Sequence, residues 1–120
     1  MKGINILKHN SDHLSVITLK STPKRLEQFF QRNSNSLEHW NVHVLDGIDG
    51  PEHWELFKQS RLISNNVLKG WSAGAIGSAL SHMLSWRLCL KLGRPMVIAE
   101  DDVILAQELH QKLHMLLQGK

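Results

Sequence analysis

The chain has 120 residues, enough for one small domain and too few for two. Its hydrophobic content of 42% suits a globular fold, and no segment approaches the roughly 18 consecutive apolar residues of a membrane span. The formal net charge of +3 comes from scattered Lys and Arg, without the basic run of a nucleic-acid arm. Such mild basicity suits an anionic ligand such as a diphosphate, weak approach to an acidic membrane surface, or solubility alone.

Residues 1–12 show neither a long apolar stretch nor a cleavage signature, so the expected compartment is the cytoplasm. His13 to Leu19 is short, apolar and β-branched, which predicts a buried parallel strand. Thr22 and Pro23 then suit the cap and first position of a helix, whose stripe is Leu26, Phe29 and Phe30. Asn33-Ser34-Asn35-Ser36 ends that helix. Trp40 to Leu45 predicts a second strand, followed by the turn-rich loop Asp46-Gly47-Ile48-Asp49-Gly50-Pro51. Residues 52–68 are ambiguous, with a loosely helical pattern in Trp54, Phe57 and Leu62.

Ser72 is placed to cap the next helix, in which Ile76, Leu80, Met83 and Leu84 recur at helical spacing and the apolar pattern runs to Leu92. Gly74 and Gly77 permit close approach of a backbone or ligand. Gly93-Arg94-Pro95 stops the helix, and Met96 to Ala99 predicts a third strand running into Glu100-Asp101-Asp102. Ala106 to Gln118 predicts a last amphipathic helix with Leu109, Leu113, Leu116 and Leu117 on one face. Alternating strands and helices indicate an α/β sheet with crossover helices. The single cysteine, Cys89, allows no intrachain disulfide and no Cys-based zinc site, and its apolar surroundings predict a small buried hydrophobe.

The acidic triplet is the most informative feature. Adjacent carboxylates at a strand end repel one another and call for a compensating cation. In an extended chain Glu100 and Asp102 share a side and Asp101 points the other way. Ligands of open α/β sheets bind beyond the carboxyl ends of the strands, where such acids can hold Mg²⁺ or Mn²⁺ on nucleotide phosphates. The competing reading is a solvated acidic turn that favours the positive end of the last helix.

Several segments taken together resemble glycosyltransferase family 25, which includes bacterial lipooligosaccharide galactosyltransferases. Val16-Ile17-Thr18-Leu19-Lys20 with Ser21-Thr22-Pro23-Lys24-Arg25 is similar to that family's opening strand and Arg-bearing turn. Leu45-Asp46-Gly47-Ile48-Asp49-Gly50 is like its A-x-D-G loop, and Gly74 to His82 is similar to its G-x-x-G-C-x-x-S-H helix start. Pro95 to Val103 resembles its P-x-x-I-x-E-D-D strand, and Trp86 stands where the family often has Trp. The likeness runs from about residue 14 to about residue 105, with Ser78 in place of the family's Cys.

The resemblance implies a Rossmann-like nucleotide-diphospho-sugar transferase sheet of the GT-A type, forming the nucleotide-sugar-binding half of a transferase over residues 1–120. It implies transfer of a hexose, galactose foremost, from a UDP-sugar to a lipooligosaccharide or lipopolysaccharide glycan. Mn²⁺ or Mg²⁺ would sit at Glu100, Asp101 and Asp102, a DXD-like motif, with Asp102 the favoured ligand, Glu100 next and Asp101 last. Arg25 would contact uridine or phosphate, against a solvated helix face. Asp49 would accept from ribose or uracil, against a plain turn-forming role. Ser81 and His82 would line the donor pocket, against a structural role on the helix.

A transferase of this kind also needs acceptor contacts and a carboxylate base, and the sequence assigns neither. The expectations therefore include a missing second half or an oligomer, exposed apolar surface where that half would dock, and peripheral association with the inner face of the inner membrane. The rival reading is an inactive relic that binds a nucleotide or a protein partner, and a third is a small α/β protein with decorative acids. His110 and His114 have metal-pair spacing but no third ligand nearby, which favours a solvated surface. Of Trp40, Trp54, Trp71 and Trp86, at least three are expected in the core, with sugar or uracil stacking the alternative.

Overall fold

The computed structural model describes residues 12–118. The sequence expectations for residues 1–11 and for Gly119-Lys120 lie outside the described residues.

The structure is a mixed α/β fold on a small parallel sheet. Strand β1 (Asp12–Thr18) runs between β2 (Trp40–Asp46) and β3 (Met96–Glu100), in the order β2-β1-β3. The pairing runs from Asp12 opposite Trp40 to Thr18 opposite Asp46 on one side, and from His13 opposite Met96 to Ile17 opposite Glu100 on the other. Having neighbours on both edges explains why every β1 residue from His13 to Thr18 is buried, while β2 and β3 are only partly covered. The chain steps from β1 to one side and later returns to the other. Right-handed crossovers then put the two connections on opposite faces of the sheet.

One face holds the apolar core. Helix α1 (Pro23–Arg32) contributes Phe29, which packs with Leu14, Val16, Trp40, Ala99 and Leu105. Leu26 adds to this cluster, but Phe30 is exposed, so the stripe is narrower than its spacing suggested. Thr22 precedes the helix without a side-chain cap bond, although Pro23 takes the expected first position. Helix α6 (Leu109–Gln118) starts later than expected and lays Leu109 and Leu113 on the core, whereas Leu116 and Leu117 are exposed.

Asn33 does more than end α1. Its buried amide nitrogen donates to the carbonyls of Phe29 and Val103, and its Oδ1 accepts from Leu105 N at 2.7 Å. Ser36, in the short helix α2 (Ser34–Leu37), donates to the carbonyl of Leu105. These bonds tie the segment after β3 to the end of α1.

The ambiguous stretch resolves into α3 (Trp54–Ser60) and α4 (Asn65–Gly70). On the other face of the sheet lies α5 (Ala73–Leu92), capped by Ser72, whose Oγ accepts from Ala75 N, and closed by Gly93 at φ 66°. Its buried residues include Gly77, Ser81 and Ser85, four apart, so small side chains bring this helix close to the sheet. The sheet answers with polar groups: Ser15 Oγ lies 3.3 Å from Ser85 Oγ, and His13 Nδ1 lies 2.9 Å from His43 Nε2.

The apolar stripe expected for α5 holds in part, with Ile76 buried and Leu80 and Leu84 half-buried, and fails at Met83. Met83, Trp86 and Leu90 stand exposed on one side. Among the tryptophans Trp40 is buried and Trp54 half-buried, while Trp71 and Trp86 are exposed, so the expectation of three core tryptophans fails. Cys89 is half-buried, and its Sγ donates to the carbonyl of Arg94 in the turn after the helix. His110 is stacked on His39 and His114 lies 2.9 Å from Asp12, so this pair is not simply a solvated surface. Among the described residues no helix is long and apolar enough to cross a membrane.

Candidate functional site

At Thr18 and Glu100, β1 and β3 end side by side at the carboxyl edge of the sheet. Ligands of open α/β sheets bind beyond that edge. A cleft of about 170 Å³ lies there, lined by Thr18, Thr22 and Arg25 from β1 and α1, by Asp49 and Gly50 from the loop after β2, by Ser81 from α5, and by Glu100 and Asp101. The segments carrying the sequence motifs thus converge on one place.

Two hollows adjoin the cleft. One of about 370 Å³ shares Glu100 and adds His82 and Asp102. The other, of about 250 Å³, shares Leu19 and Asp49 and adds Ser21, Glu52 and His53. The cleft alone is smaller than the roughly 300–1,000 Å³ of typical small-molecule sites, but an extended ligand can span neighbouring hollows.

The three acids have different surroundings. The chain turns after β3, with Val103 N donating to Glu100 O at 3.3 Å, and Asp101 is turned inward and only 5% exposed. Its Oδ2 accepts from Thr18 Oγ1 at 2.9 Å, and its Oδ1 lies 3.0 Å from Arg25 Nε and 2.8 Å from Arg25 Nη2. Glu100 and Asp102 are exposed and face the same hollow. Glu100 Oε2 is 3.4 Å from His82 Nε2, and Asp102 Oδ2 is 3.8 Å from Arg25 Nη2.

Arg25 is thus neither a free solvated residue nor fully sequestered. Pro23 fixes the start of α1, which sets Arg25 one turn-step inside the helix and over the strand ends. Asp49 accepts from Ser21 Oγ at 2.9 Å, and its carbonyl lies 2.9 Å from His53 Nδ1. Ser81 is buried: its Oγ accepts from Ile48 N at 2.8 Å and donates to Gly77 O at 2.7 Å. Ser81 therefore lines the cleft while holding the 46–50 loop against α5.

Glycines make that seat. A Cβ on Gly77 would stand 2.5 Å from the Ile48 carbonyl, and one on Gly50 would collide with the Ala73 carbonyl. Gly74 meets nothing and leaves the cleft wall open. The sequence pattern flagged Gly74 and Gly77 but missed Gly50, Thr18 and Ser21. A hydroxyl at the last position of a buried strand, as Thr18 is, was the available signal.

Among the described residues no group of three or more His, Cys, Asp or Glu gathers as a metal-holding set. The carboxylates of Glu100 and Asp102 nevertheless suit a hard divalent cation, because Mg²⁺ commonly takes one or two carboxylates and completes its shell with phosphate and water. Asp101 does not fit that role, since both its oxygens are already engaged. The cleft lining carries three carboxylates against the Arg25 guanidinium, so a bound anion would need added positive charge.

The fold and site define a mixed α/β protein with a charged cleft at the carboxyl edge of a parallel sheet. The family model described as Glycosyltransferase family 25 (LPS biosynthesis protein) matches residues 11–120, and the chain belongs to that family. Membership supports a glycosyltransferase role. No curated protein and no solved structure matches the chain.

Proposed function

We propose that the chain binds the UDP-sugar donor of a hexosyl transfer, with galactose the hexose, onto a lipopolysaccharide or lipooligosaccharide glycan. The observation that carries this reading is the convergence of Arg25, Asp49, Ser81, Glu100 and Asp101 on one cleft at the carboxyl ends of β1 and β3. Parallel sheets bind nucleotides at such points, which also supports a nucleotide-diphospho-sugar type of sheet.

Within this reading Glu100 and Asp102 would hold Mn²⁺ or Mg²⁺. When bound, that cation would supply charge neutralisation for the leaving diphosphate. Arg25 offers a planar donor edge to a phosphate or to uracil. Asp49, kept in place by Ser21, offers an acceptor to a ribose hydroxyl. His82 lies against Glu100 and orients it. Reaction with a lipid-borne glycan suits peripheral binding at the inner face of the inner membrane, towards which a net charge of +3 gives a weak attraction.

The test is calorimetric titration of UDP-galactose into the chain, with and without Mn²⁺. Metal-dependent binding that disappears in Asp102→Asn is the expected result. No binding by a folded chain would refute the proposal.

A further inference from the structure

We propose that Asp101 is a positioning residue for the nucleotide, not a metal ligand: it holds the Arg25 guanidinium at the cleft as the group that receives the diphosphate. This rests on the nucleotide-sugar reading of the site and divides its acidic triplet into two jobs.

The geometry separates the three acids. Asp101 is only 5% exposed, and both of its oxygens are taken, Oδ2 by Thr18 Oγ1 and Oδ1 by two nitrogens of Arg25. A cation coordinated there would have to displace the guanidinium and would then face it at close range. Like charges so placed in a half-buried site repel strongly. Glu100 and Asp102 are less committed: each has one longer contact, to His82 at 3.4 Å and to Arg25 at 3.8 Å, and both are exposed and open to one hollow.

Arg25 is used on one edge only. Nε and Nη2 point to Asp101, with Nη2 also 3.8 Å from Asp102 Oδ2, while Nη1 has no hydrogen-bond partner among the described residues. The side chain is 48% exposed and lines the cleft. A guanidinium fixed on one edge presents its remaining donors without first having to be ordered, which favours binding of an oxyanion. Thr18 completes the arrangement by holding the second Asp101 oxygen, so the carboxylate cannot swing towards a cation in the neighbouring hollow.

The experiment is titration of UDP into the full chain, once in EDTA and once in saturating Mn²⁺, with thermal melting to verify folding. The ratio of the two affinities measures what the metal adds. Asp101→Asn is expected to lower UDP affinity by about tenfold to a hundredfold in both conditions and to leave that ratio unchanged. Asp102→Asn is expected to bring that ratio to about one, so that Mn²⁺ adds nothing to UDP affinity. In an Arg25→Ala background, Asp101→Asn should have no further effect on UDP affinity, since its role runs through Arg25.

If Asp101→Asn does not fold, Thr18→Val replaces it, and the same loss in both conditions is expected. Collapse of the metal ratio in the Asp101 or Thr18 variant would overturn the inference, as would a further loss in the Arg25→Ala background. A variant with lowered melting temperature and unchanged UDP affinity would reduce Asp101 to a structural ion pair and also overturn it. Failure of the folded wild-type chain to bind UDP in either condition would instead sink the nucleotide-sugar reading on which the inference rests.

Discussion

Thr18 and Asp101 meet 83 residues apart in sequence, the Thr18 hydroxyl donating to Asp101 Oδ2 at 2.9 Å inside the end of the sheet. Both residues are buried, at 6% and 5% exposure, and the bond joins the carboxyl ends of β1 and β3. It fixes the place where the chain leaves β3, and so fixes where Glu100 and Asp102 emerge.

Thr18→Val keeps the shape and removes the donor. A buried carboxylate that loses a hydrogen bond is left partly unsatisfied, at a cost of about 1–3 kcal/mol. Urea unfolding should show a loss in that range. A loss below about 0.5 kcal/mol would mean that solvent serves the Asp101 oxygen as well as Thr18 does.

The glycines of the loop seat predict a contrast. Gly77→Ala drives a methyl against the Ile48 carbonyl, and Gly50→Ala drives one into the Ala73 carbonyl, both backbone atoms that cannot turn aside. Each should cost about 1–3 kcal/mol or more. Gly74→Ala lies in the same helix with open space around its Cβ and should instead stabilise by about 0.5–1 kcal/mol. Equal effects at the three positions would show that the loop is not seated on α5 as described.

Strand β1 was legible from Leu14, Val16 and Ile17 in a short β-branched stretch, although His13, Ser15 and Thr18 are polar residues buried with them. Helix α5 was legible from its Ser72 cap and its Gly93 stop. Its orientation was not, because apolar residues occur all round it and the buried side is made by Gly77, Ser81 and Ser85. Small residues that permit close packing carry no hydropathy signal. The candidate site was legible as four motifs, and Glu100-Asp101-Asp102 stood out by charge alone. The different environments of the three acids were not legible. They depend on Thr18 and Arg25, which lie far away in sequence, and on the Asn33 bonds that hold residues 103–105 in place.

Adjacent phenylalanines test the packing of α1. Phe29 is fully buried in the cluster with Leu14, Val16 and Trp40, whereas Phe30 is 38% exposed. Phe29→Ala should cost about 3–5 kcal/mol through lost burial and the cavity left behind. Phe30→Ala should cost clearly less, about 1 kcal/mol. Denaturant midpoints that fall equally would mean that α1 is rotated on the sheet.

The histidine pair under α5 makes stability depend on pH. Burial, and then the neighbouring His13, holds the His43 pKa below its ordinary value of 6.5. Above that value His43 is neutral in both folded and unfolded chains, and its contribution is fully present. As pH falls below 6.5 the unfolded chain takes up the proton first, so stability is lost progressively until the pH has passed the lowered folded value. His43→Gln removes this proton uptake, while the other histidines remain common to both proteins. The melting temperature of the wild-type chain should therefore drop more than that of His43→Gln between about pH 8 and about pH 5.5. Parallel drops would show that His43 is as easily protonated in the folded chain as in the unfolded one, and that the 2.9 Å contact with His13 does not oppose its charge.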